Sequence, residues 1–533
     1  MMKLDFIFSR IKKEQYFLLF SLGLYVVVSH FILCLSLTFL SLLGSFIFWI
    51  FIYNLSLRLF LFLFLFPCYT LLVALMLPLY TYDGINLGIV ASIFETNLSE
   101  SVEYIATFSY YQILAIFTYI SFGFILLYKL ATLHNKYRSL NIRKVLFLFI
   151  FLLLIAFYKP VKEYMKGGDF YFLNIRVYPI QIVGKIYHLT YSYLHQKALL
   201  EQGLNVKPDW KIQSVNPKYG NYVLVIGESM RADYMSLYIY PIDTTPFLKK
   251  TNAIVLDNFI SASSGTQVSL LRSFYIKDKD DNFQTNNNIA TLANLAGFNT
   301  YWISNQGILG EFDTAASRLA YLFKHHKFTK KGDFDDVNIH DIKLLEHFKD
   351  YLVSSVNNPS PNLFVLHLMG SHPDFCNRLE NSPKINLINK DISCYLETYK
   401  QTDFFISKIV DELKQYGSYS VIYFSDHGLS HYGKDDKSLT LKHNNKFKEN
   451  YHVPFIQISS DDIAQKRIHA YRSGMDFLNG FAEWLGIEES SLKRPYSFFS
   501  EDNMNLPLKV FDWEKYIDFN LLPSDPVLLP ENI

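Results

Sequence analysis

The sequence predicts an α-helical membrane domain of five transmembrane helices followed by a large α/β domain on the outer side of the membrane. Three observations carry this expectation. Between Tyr16 and Tyr80 the one Asp, Glu, Lys or Arg is Arg58, whereas the chain beyond Lys159 has ordinary soluble composition. Lys and Arg fall in alternate connections between the apolar runs. Beyond Asn221, short β-prone runs alternate with helix-like segments, the pattern of a parallel sheet. Across the 533 residues, 50 Lys and Arg stand against 49 Asp and Glu. This balance gives no electrostatic footprint for nucleic acid. A hydrophobic fraction of 50% with 19% charged residues excludes global disorder.

A bilayer core takes about 20 apolar residues as a helix, because lipid offers no partner to free backbone groups. Five runs meet the pattern: 16–35, 36–54, 58–80, 110–132 and 144–159. Lys3, Arg10, Lys12 and Lys13 hold the start inside, and Arg58 marks the second inner turn. Loop 81–109 has no Lys or Arg but carries Asp83, Glu95, Glu100 and Glu103, so it lies outside. Lys129, Lys136, Arg138, Arg143 and Lys144 bring the next connection back inside. Five crossings then deliver residues 160–533 to the outer side. A cleaved signal peptide fits the first run poorly, since it is too long and lacks a small-residue cleavage site.

The expected organisation is a transmembrane domain over 1–159, a connector over 160–215 and an outer α/β domain over 216–533. Within the connector, Tyr178–Tyr193 mixes apolar and aromatic residues; it either lies in the membrane interface or packs on the outer domain. Cys34 and Cys68 fall in membrane helices as packing residues. Cys376 and Cys394 fall in the outer domain, where an oxidising compartment permits a disulfide. Two free buried thiols are the alternative. Residues 500–533, with weak periodicity, read as a wrapped tail.

In the outer domain four apolar runs end in polar clusters. Tyr222–Ile226 precedes Gly227-Glu228-Ser229, and Asn299–Ile303 precedes Ser304-Asn305-Gln306. Leu363–Leu366 precedes a cluster from His367 to His372, and Val421–Phe424 precedes Ser425-Asp426-His427-Gly428. Helix-like segments at 341–356 and 396–415 separate them. In such sheets, sites form beyond the carboxyl ends of the strands, so four separate segments point at one place.

Glu228, Asp426 and His427 offer two carboxylates and an imidazole, a suitable ligand set for Zn²⁺ with a position left open for a reacting group. The plainer reading makes the carboxylates helix caps and His427 a satisfied polar residue. A nucleophile is available in the hydroxyl-rich stretch Ser261-Ala-Ser-Ser-Gly-Thr266-Gln-Val-Ser269. Gly265 permits close backbone approach, a helix start favours phosphate, and a metal makes an alkoxide accessible. The plain alternative is an ordinary N-cap. Composition leaves Ser264, Thr266 and Ser269 all open as the nucleophile.

The motifs Gly227-Glu228-Ser229-Met-Arg231-Ala-Asp233, Asp243-Thr-Thr-Pro246, Ser264-Gly265-Thr266, His367-Leu-Met-Gly-Ser-His372-Pro and Ser425-Asp426-His427-Gly428 together resemble the bacterial phosphoethanolamine transferases. These belong to the sulfatase and alkaline-phosphatase-like superfamily. The resemblance covers nearly the whole chain, including the plan of five membrane helices before a hydrolase-like periplasmic domain. It implies an inner-membrane, multi-pass protein. It also implies one or two Zn²⁺ ions or another divalent metal, with Glu228, Thr266, Asp426 and His427 as ligands and Thr266 as nucleophile. His372, and by a looser spacing match His443, would lie near the transferred phosphate. Glu100, in the outer loop, would meet the substrate ammonium; the plainer reading is a solvated interfacial carboxylate.

The implied reaction moves phosphoethanolamine from phosphatidylethanolamine to lipid A or another lipopolysaccharide acceptor. It proceeds through a phosphoethanolamine-threonine and releases diacylglycerol. The expected partners are therefore that donor, that acceptor and the membrane, and the expected state is a monomer. Leu429-Ser430-His431 replaces the Glu-Ser that many relatives carry, and the cysteine framework is thin; both leave the acceptor open, a periplasmic glucan included.

Other readings compete. A glycerol-phosphate transferase resembling lipoteichoic acid synthase shares the helices, the threonine and similar ligands; Gly-Ser-His-Pro and the 376–394 cysteine pair favour the ethanolamine branch. A sulfatase lacks its Cys-x-Pro-x-Arg-like context here. A non-catalytic sensor or scaffold would have lost a site residue, and none is missing. A transporter would carry ionisable residues at mid-membrane depth.

Overall fold

The structure, a computed structural model, describes residues 13–55, 58–77, 84–85, 89–90, 93–94, 96, 104–105, 108–137, 142–165, 175, 177–203, 207–278, 282–307, 315–330, 339–492, 495–503 and 507–530. They divide into two compact units, and the chain finally passes from the first to the second between Tyr193 and Leu194.

In the first unit, each predicted apolar run is a helix: α1 (Lys13–Ile32), α2 (Phe39–Asn54), α3 (Arg58–Met76), α4 (Tyr110–Tyr137) and α5 (Ile142–Met165). A sixth, α6 (Tyr178–Gly203), follows. Gln15–Ile32, Tyr110–Thr132 and Arg143–Lys162 are long and apolar enough to cross a membrane, while Phe39–Asn54 and Phe62–Met76 are apolar but shorter. Among the described residues, several buried polar groups inside this unit are paired with one another, as a medium without water favours. Tyr25 and Thr70 hydroxyls lie 2.7 Å apart, Ser29 and Tyr119 hydroxyls 2.6 Å apart, and His30 Nε2 is 2.9 Å from Ser45 Oγ. Tyr25 also stacks on Phe66 with ring centroids 4.6 Å apart. A side chain at Gly123 would meet Thr70 Cγ2 at 2.4 Å, so glycine there lets α3 and α4 approach closely.

The second unit is built on an eight-stranded sheet. Its strands are β1 (Asn221–Gly227), β2 (Ile254–Ile260), β3 (Asn299–Gly307), β4 (His325–Lys330), β5 (Asn362–His367), β6 (Tyr419–Ser425), β7 (Phe455–Ser459) and β8 (Lys466–Ser473). The spatial order is β8-β2-β7-β6-β1-β5-β3-β4. All neighbours are parallel except at β7, which runs against both β6 and β2.

Strands β1, β5 and β6 are buried along their whole length, and their side chains alternate between two cores. Tyr222, Leu224, Ile226, Leu363, Val365, Ile422 and Phe424 face one. Val223, Val225, Phe364, Leu366, Val421 and Tyr423 face the other. The first core is closed by α7 (Thr266–Phe274), α8 (Ile289–Leu295) and α11 (Phe477–Leu485), the second by α9 (Leu344–Ser355) and α10 (Lys390–Leu413). Asn288 begins α8 with a capping box, its side chain accepting from the N–H groups of Ala290 and Thr291.

Register aligns the polar clusters. Ile226 pairs with both His367 and Phe424, Gly227 with Ser425, and Ser304 with His367. Cys376 and Cys394 are joined, fastening a short turn at Phe375–Arg378 to α10. A closed loop of this size stabilises by about 3 kcal/mol in the chain-entropy model. Changing both cysteines to serine should therefore lower the urea midpoint of the outer unit's near-UV signal; an unchanged midpoint would contradict that contribution.

Candidate active site

The chain leaves β1 through Glu228 and Ser229, and Ser229 takes a left-handed φ of 59°. This sharp turn is held from two sides. Ser371 N–H donates to the Glu228 carbonyl at 2.9 Å, and Tyr395 Oη donates to the Ser229 carbonyl at 2.9 Å. Gly370 lies so close that a Cβ would meet Glu228 N at 2.9 Å, and its φ is +49°, so the Gly-Ser-His motif needs glycine for space and for conformation. Asp341 fixes that loop by accepting from the N–H groups of Met369 and Gly370 at 2.9 and 2.8 Å.

The chain leaves β6 through Asp426 and His427, both fully buried. Asp426 Oδ1 accepts from His427 N–H at 2.8 Å and Ser229 N–H at 3.2 Å. Its other oxygen, Oδ2, is buried without a hydrogen-bond partner. His427 Nδ1 lies 2.9 Å from the Gly428 carbonyl, so that nitrogen carries hydrogen. Nε2 therefore faces the site, 3.1 Å from Glu228 Oε1 and 3.7 Å from Asp426 Oδ2. One ligand atom from each of Glu228, Asp426 and His427 lies within 4.8 Å of the others. Two buried carboxylates, an oriented imidazole and an unpartnered oxygen fit a divalent cation.

Thr266 opens α7, preceded by Gly265 in extended conformation. Its hydroxyl donates to Glu228 Oε2 at 3.0 Å and lies 3.3 Å from His427 Nε2. Of the three candidate hydroxyls, Thr266 reaches the group formed by Glu228, Asp426 and His427. Ser269 donates instead to the Asp426 carbonyl at 2.7 Å, and Ser264 is buried against Tyr451. The His443 ring stands 4.8 Å from that of His427 and 5.9 Å from that of His372. His443 returns to the site on a hairpin that pairs Ser430–Tyr432 with Thr440–Lys442. Glu100 lies outside the described residues.

Electrostatics follow from burial. For Glu228, burial alone would raise the carboxyl, but attraction to His427, with His372 and His443 behind it, holds it well below the usual range. Asp426 is pushed up to about 8 by burial and by Glu228. For His427, burial lowers the imidazole, yet the two carboxylates outweigh it and raise it to about 9. Burial drops His372 to about 4 against the attraction of Glu228, and burial together with His427 and His372 drops His443 to about 3. Both are thus neutral at neutral pH, and His372 Nδ1 donates to the Pro373 carbonyl, leaving Nε2 unprotonated.

Several supporting residues carried no sequence signal of their role. Ser229 Oγ donates to Glu228 Oε1 at 2.7 Å, and Tyr399 Oη accepts from the Arg231 N–H at 2.9 Å. Asp341, which holds the Gly-Ser-His loop, is another.

Comparison with known proteins places the chain in a family. The Sulfatase family model matches residues 220–487. Over 449 residues the chain is 35% identical to the phosphoethanolamine transferase OpgE of Escherichia coli K12, covering 83% of this chain and 84% of that one. Among solved structures, the lipooligosaccharide phosphoethanolamine transferase A (EptA) of Neisseria meningitidis aligns with TM-score 0.56 at 17% identity, over 89% of this chain and 97% of that chain. The C-terminal periplasmic domain of E. coli EptC, solved in complex with Zn, aligns with TM-score 0.51 at 20% identity, over 60% of this chain and 97% of that domain. The chain is a member of the sulfatase superfamily, and within it belongs to the phosphoethanolamine transferases.

Asp426 and His427 hold protons at neutral pH where a cation would sit, so metal uptake must displace them. Zinc binding at pH 7 should release more than one proton, read by calorimetry in buffers of different ionisation enthalpy. Affinity should rise more than about tenfold per pH unit between pH 6 and 8; a pH-independent affinity would contradict the assigned ligands.

Proposed function

We propose that this protein transfers phosphoethanolamine from phosphatidylethanolamine to a cell-envelope glycoconjugate, with Thr266 as nucleophile. The observation that carries the reading is the Thr266 hydroxyl, 3.0 Å from Glu228 Oε2, at the edge of a buried group whose Asp426 Oδ2 has no partner. In the first half-reaction the Thr266 oxygen bonds to phosphorus and the bond to the glycerol oxygen breaks. Diacylglycerol leaves with a proton that balances the one lost by Thr266. In the second, an acceptor oxygen attacks the phosphoethanolamine-threonine and frees Thr266.

Zn²⁺, held by Glu228, Asp426, His427 and the Thr266 oxygen, would supply charge stabilisation and a lowered threonine pKa. The chain's own groups do the rest. Backbone N–H groups in the first turn of α7 are oriented for phosphoryl oxygens. His372 Nε2, unprotonated and beside the site, is available to accept a hydrogen bond from the acceptor hydroxyl. Glu100 is the proposed partner of the substrate ammonium.

In the proposed arrangement five crossings of the bacterial inner membrane leave the catalytic unit in the periplasm. An exposed apolar stripe on α6, formed by Ile180, Val183, Tyr187, Tyr191 and Leu194, supports an interfacial position for that helix. The acceptor is proposed to be lipid A, core lipopolysaccharide sugar or a periplasmic glucan.

Thr266→Ala should abolish diacylglycerol release from phosphatidylethanolamine and transfer alike, while zinc still binds; retained turnover would move the nucleophile elsewhere. Mass spectrometry of lipid A, core oligosaccharide and periplasmic glucan, from cells with and without the protein, should find phosphoethanolamine on one fraction alone. If none of them gains it when the protein is present, the envelope-acceptor reading fails.

A further inference from the structure

The C-terminal segment, residues 507–530, touches the loops that carry Thr266, Glu228 and the Asp426–His427 pair. Phe511 N–H donates to the Ala262 carbonyl at 2.9 Å, and Ser263 Oγ donates to the Phe511 carbonyl at 2.7 Å. Trp513 follows beside Gly265, its Nε1 3.5 Å from where a Cβ would stand, next to Thr266. Further along, Lys448 N–H donates to the Pro523 carbonyl at 3.0 Å and Asp525 N–H to Glu449 Oε2 at 2.7 Å. The Glu449 carbonyl in turn packs on Gly428, where a Cβ would approach it to 2.2 Å.

The convergence is at Asp525. Its Oδ2 accepts from Arg231 Nη1 at 2.8 Å and from the His431 N–H at 2.8 Å, and its Oδ1 lies 3.0 Å from His431 Nδ1. Its carbonyl accepts from Arg231 Nη2 at 2.6 Å. Arg231 is fully buried, three residues beyond Glu228, and also pairs with Asp233 at 2.6 Å. His431 lies four residues beyond His427, and its Nε2 is 2.6 Å from Tyr234 Oη. One carboxylate from the tail thus joins the loop that carries Glu228 to the loop that carries Asp426 and His427. A buried arginine released from one of its two carboxylates would leave a partly uncompensated charge, which costs more than an exposed pair gains.

We infer that Asp525 is a positioning residue, and that the C-terminal segment is a clasp fixing the spacing of the metal group. It touches no reacting atom; it acts through Arg231 and His431. Its effect on turnover rests on the transferase reading above, whereas its effect on metal binding rests on the clasp geometry and the assigned ligand group. Loss of a group that orients metal ligands from behind typically weakens metal affinity by about 10- to 100-fold.

The test is zinc competition against a chromogenic chelator, on the full-length protein in detergent, alongside the melting temperature of the metal-free protein and steady-state transfer. Asp525→Asn should weaken zinc binding about tenfold or more, with a cooperative melt retained. Asp525→Glu, which keeps two charged oxygens, should recover most of that loss, and Asp502→Asn, an exposed acid, should change nothing. Transfer by Asp525→Asn should lose kcat at saturating zinc while the donor KM holds. A folded Asp525→Asn protein with unaltered zinc affinity would overturn the proposal, as would a lowered melting temperature with unchanged affinity. Should Asp525→Asn fail to fold, His431→Ala releases one side of the clasp and must itself weaken zinc binding; unchanged affinity there would also overturn it. If the unaltered protein binds zinc yet transfers nothing, the transferase reading fails and the clasp is still judged by affinity.

Discussion

The site depends on one register: Gly227 of β1 set against Ser425 of β6 in a parallel pair. Parallel neighbours end on the same side of a sheet, so the next residues of both strands, Glu228 and Asp426, are delivered to one place. Burial then makes the pair consequential. Two carboxylates this close in a low-dielectric interior repel, and Asp426 rises to about 8 because burial and Glu228 both disfavour its charge. Backbone N–H groups satisfy one Asp426 oxygen and leave the other without a partner. The arrangement is costly alone and stabilised by a divalent cation, which separates a metal site from a merely polar strand end.

Around that pair the fold removes freedom. The Gly-Ser-His loop presses its glycine on Glu228, α10 supplies two tyrosine hydroxyls to the turn after it, and α7 starts at Thr266. Each contact comes from a different element, so the geometry is set by the sheet with its packed helices and not by any single loop. This is the form of preorganisation that electrostatic catalysis of phosphoryl transfer needs, with little reorganisation left for the reaction itself.

Much of this was legible in the sequence. Strands β1, β3, β5 and β6 are continuous apolar runs because both faces are buried, and their polar ends mark the site directly. The five apolar helices stand where composition placed them, although two are shorter than a straight crossing asks. What sequence left open depends on chain geometry at distances that pattern does not encode. Ser264, Thr266 and Ser269 are chemically alike; the first turn of α7 aims Thr266 at Glu228 and turns Ser269 to a backbone carbonyl. His443 reaches the site just after a hairpin that pairs Ser430–Tyr432 with Thr440–Lys442, across a loop that pattern does not place. The antiparallel β7, the partnership of Arg231 with Asp525 across 294 positions and the left-handed turn at Ser229 leave no local signature. The tail reads as weakly periodic because it is a short hairpin, pairing Lys509–Phe511 with Tyr516–Asp518, whose Leu508, Val510 and Phe519 join a small apolar cluster while its remaining anchors are single polar groups.

The most direct test of the account is intact mass of the zinc-loaded protein after brief exposure to phosphatidylethanolamine without acceptor. The account predicts a gain of about 123 Da, the mass of one phosphoethanolamine group, carried on a peptide containing Thr266. An adduct on another residue, or diacylglycerol release with no covalent species at any quench time, would contradict it.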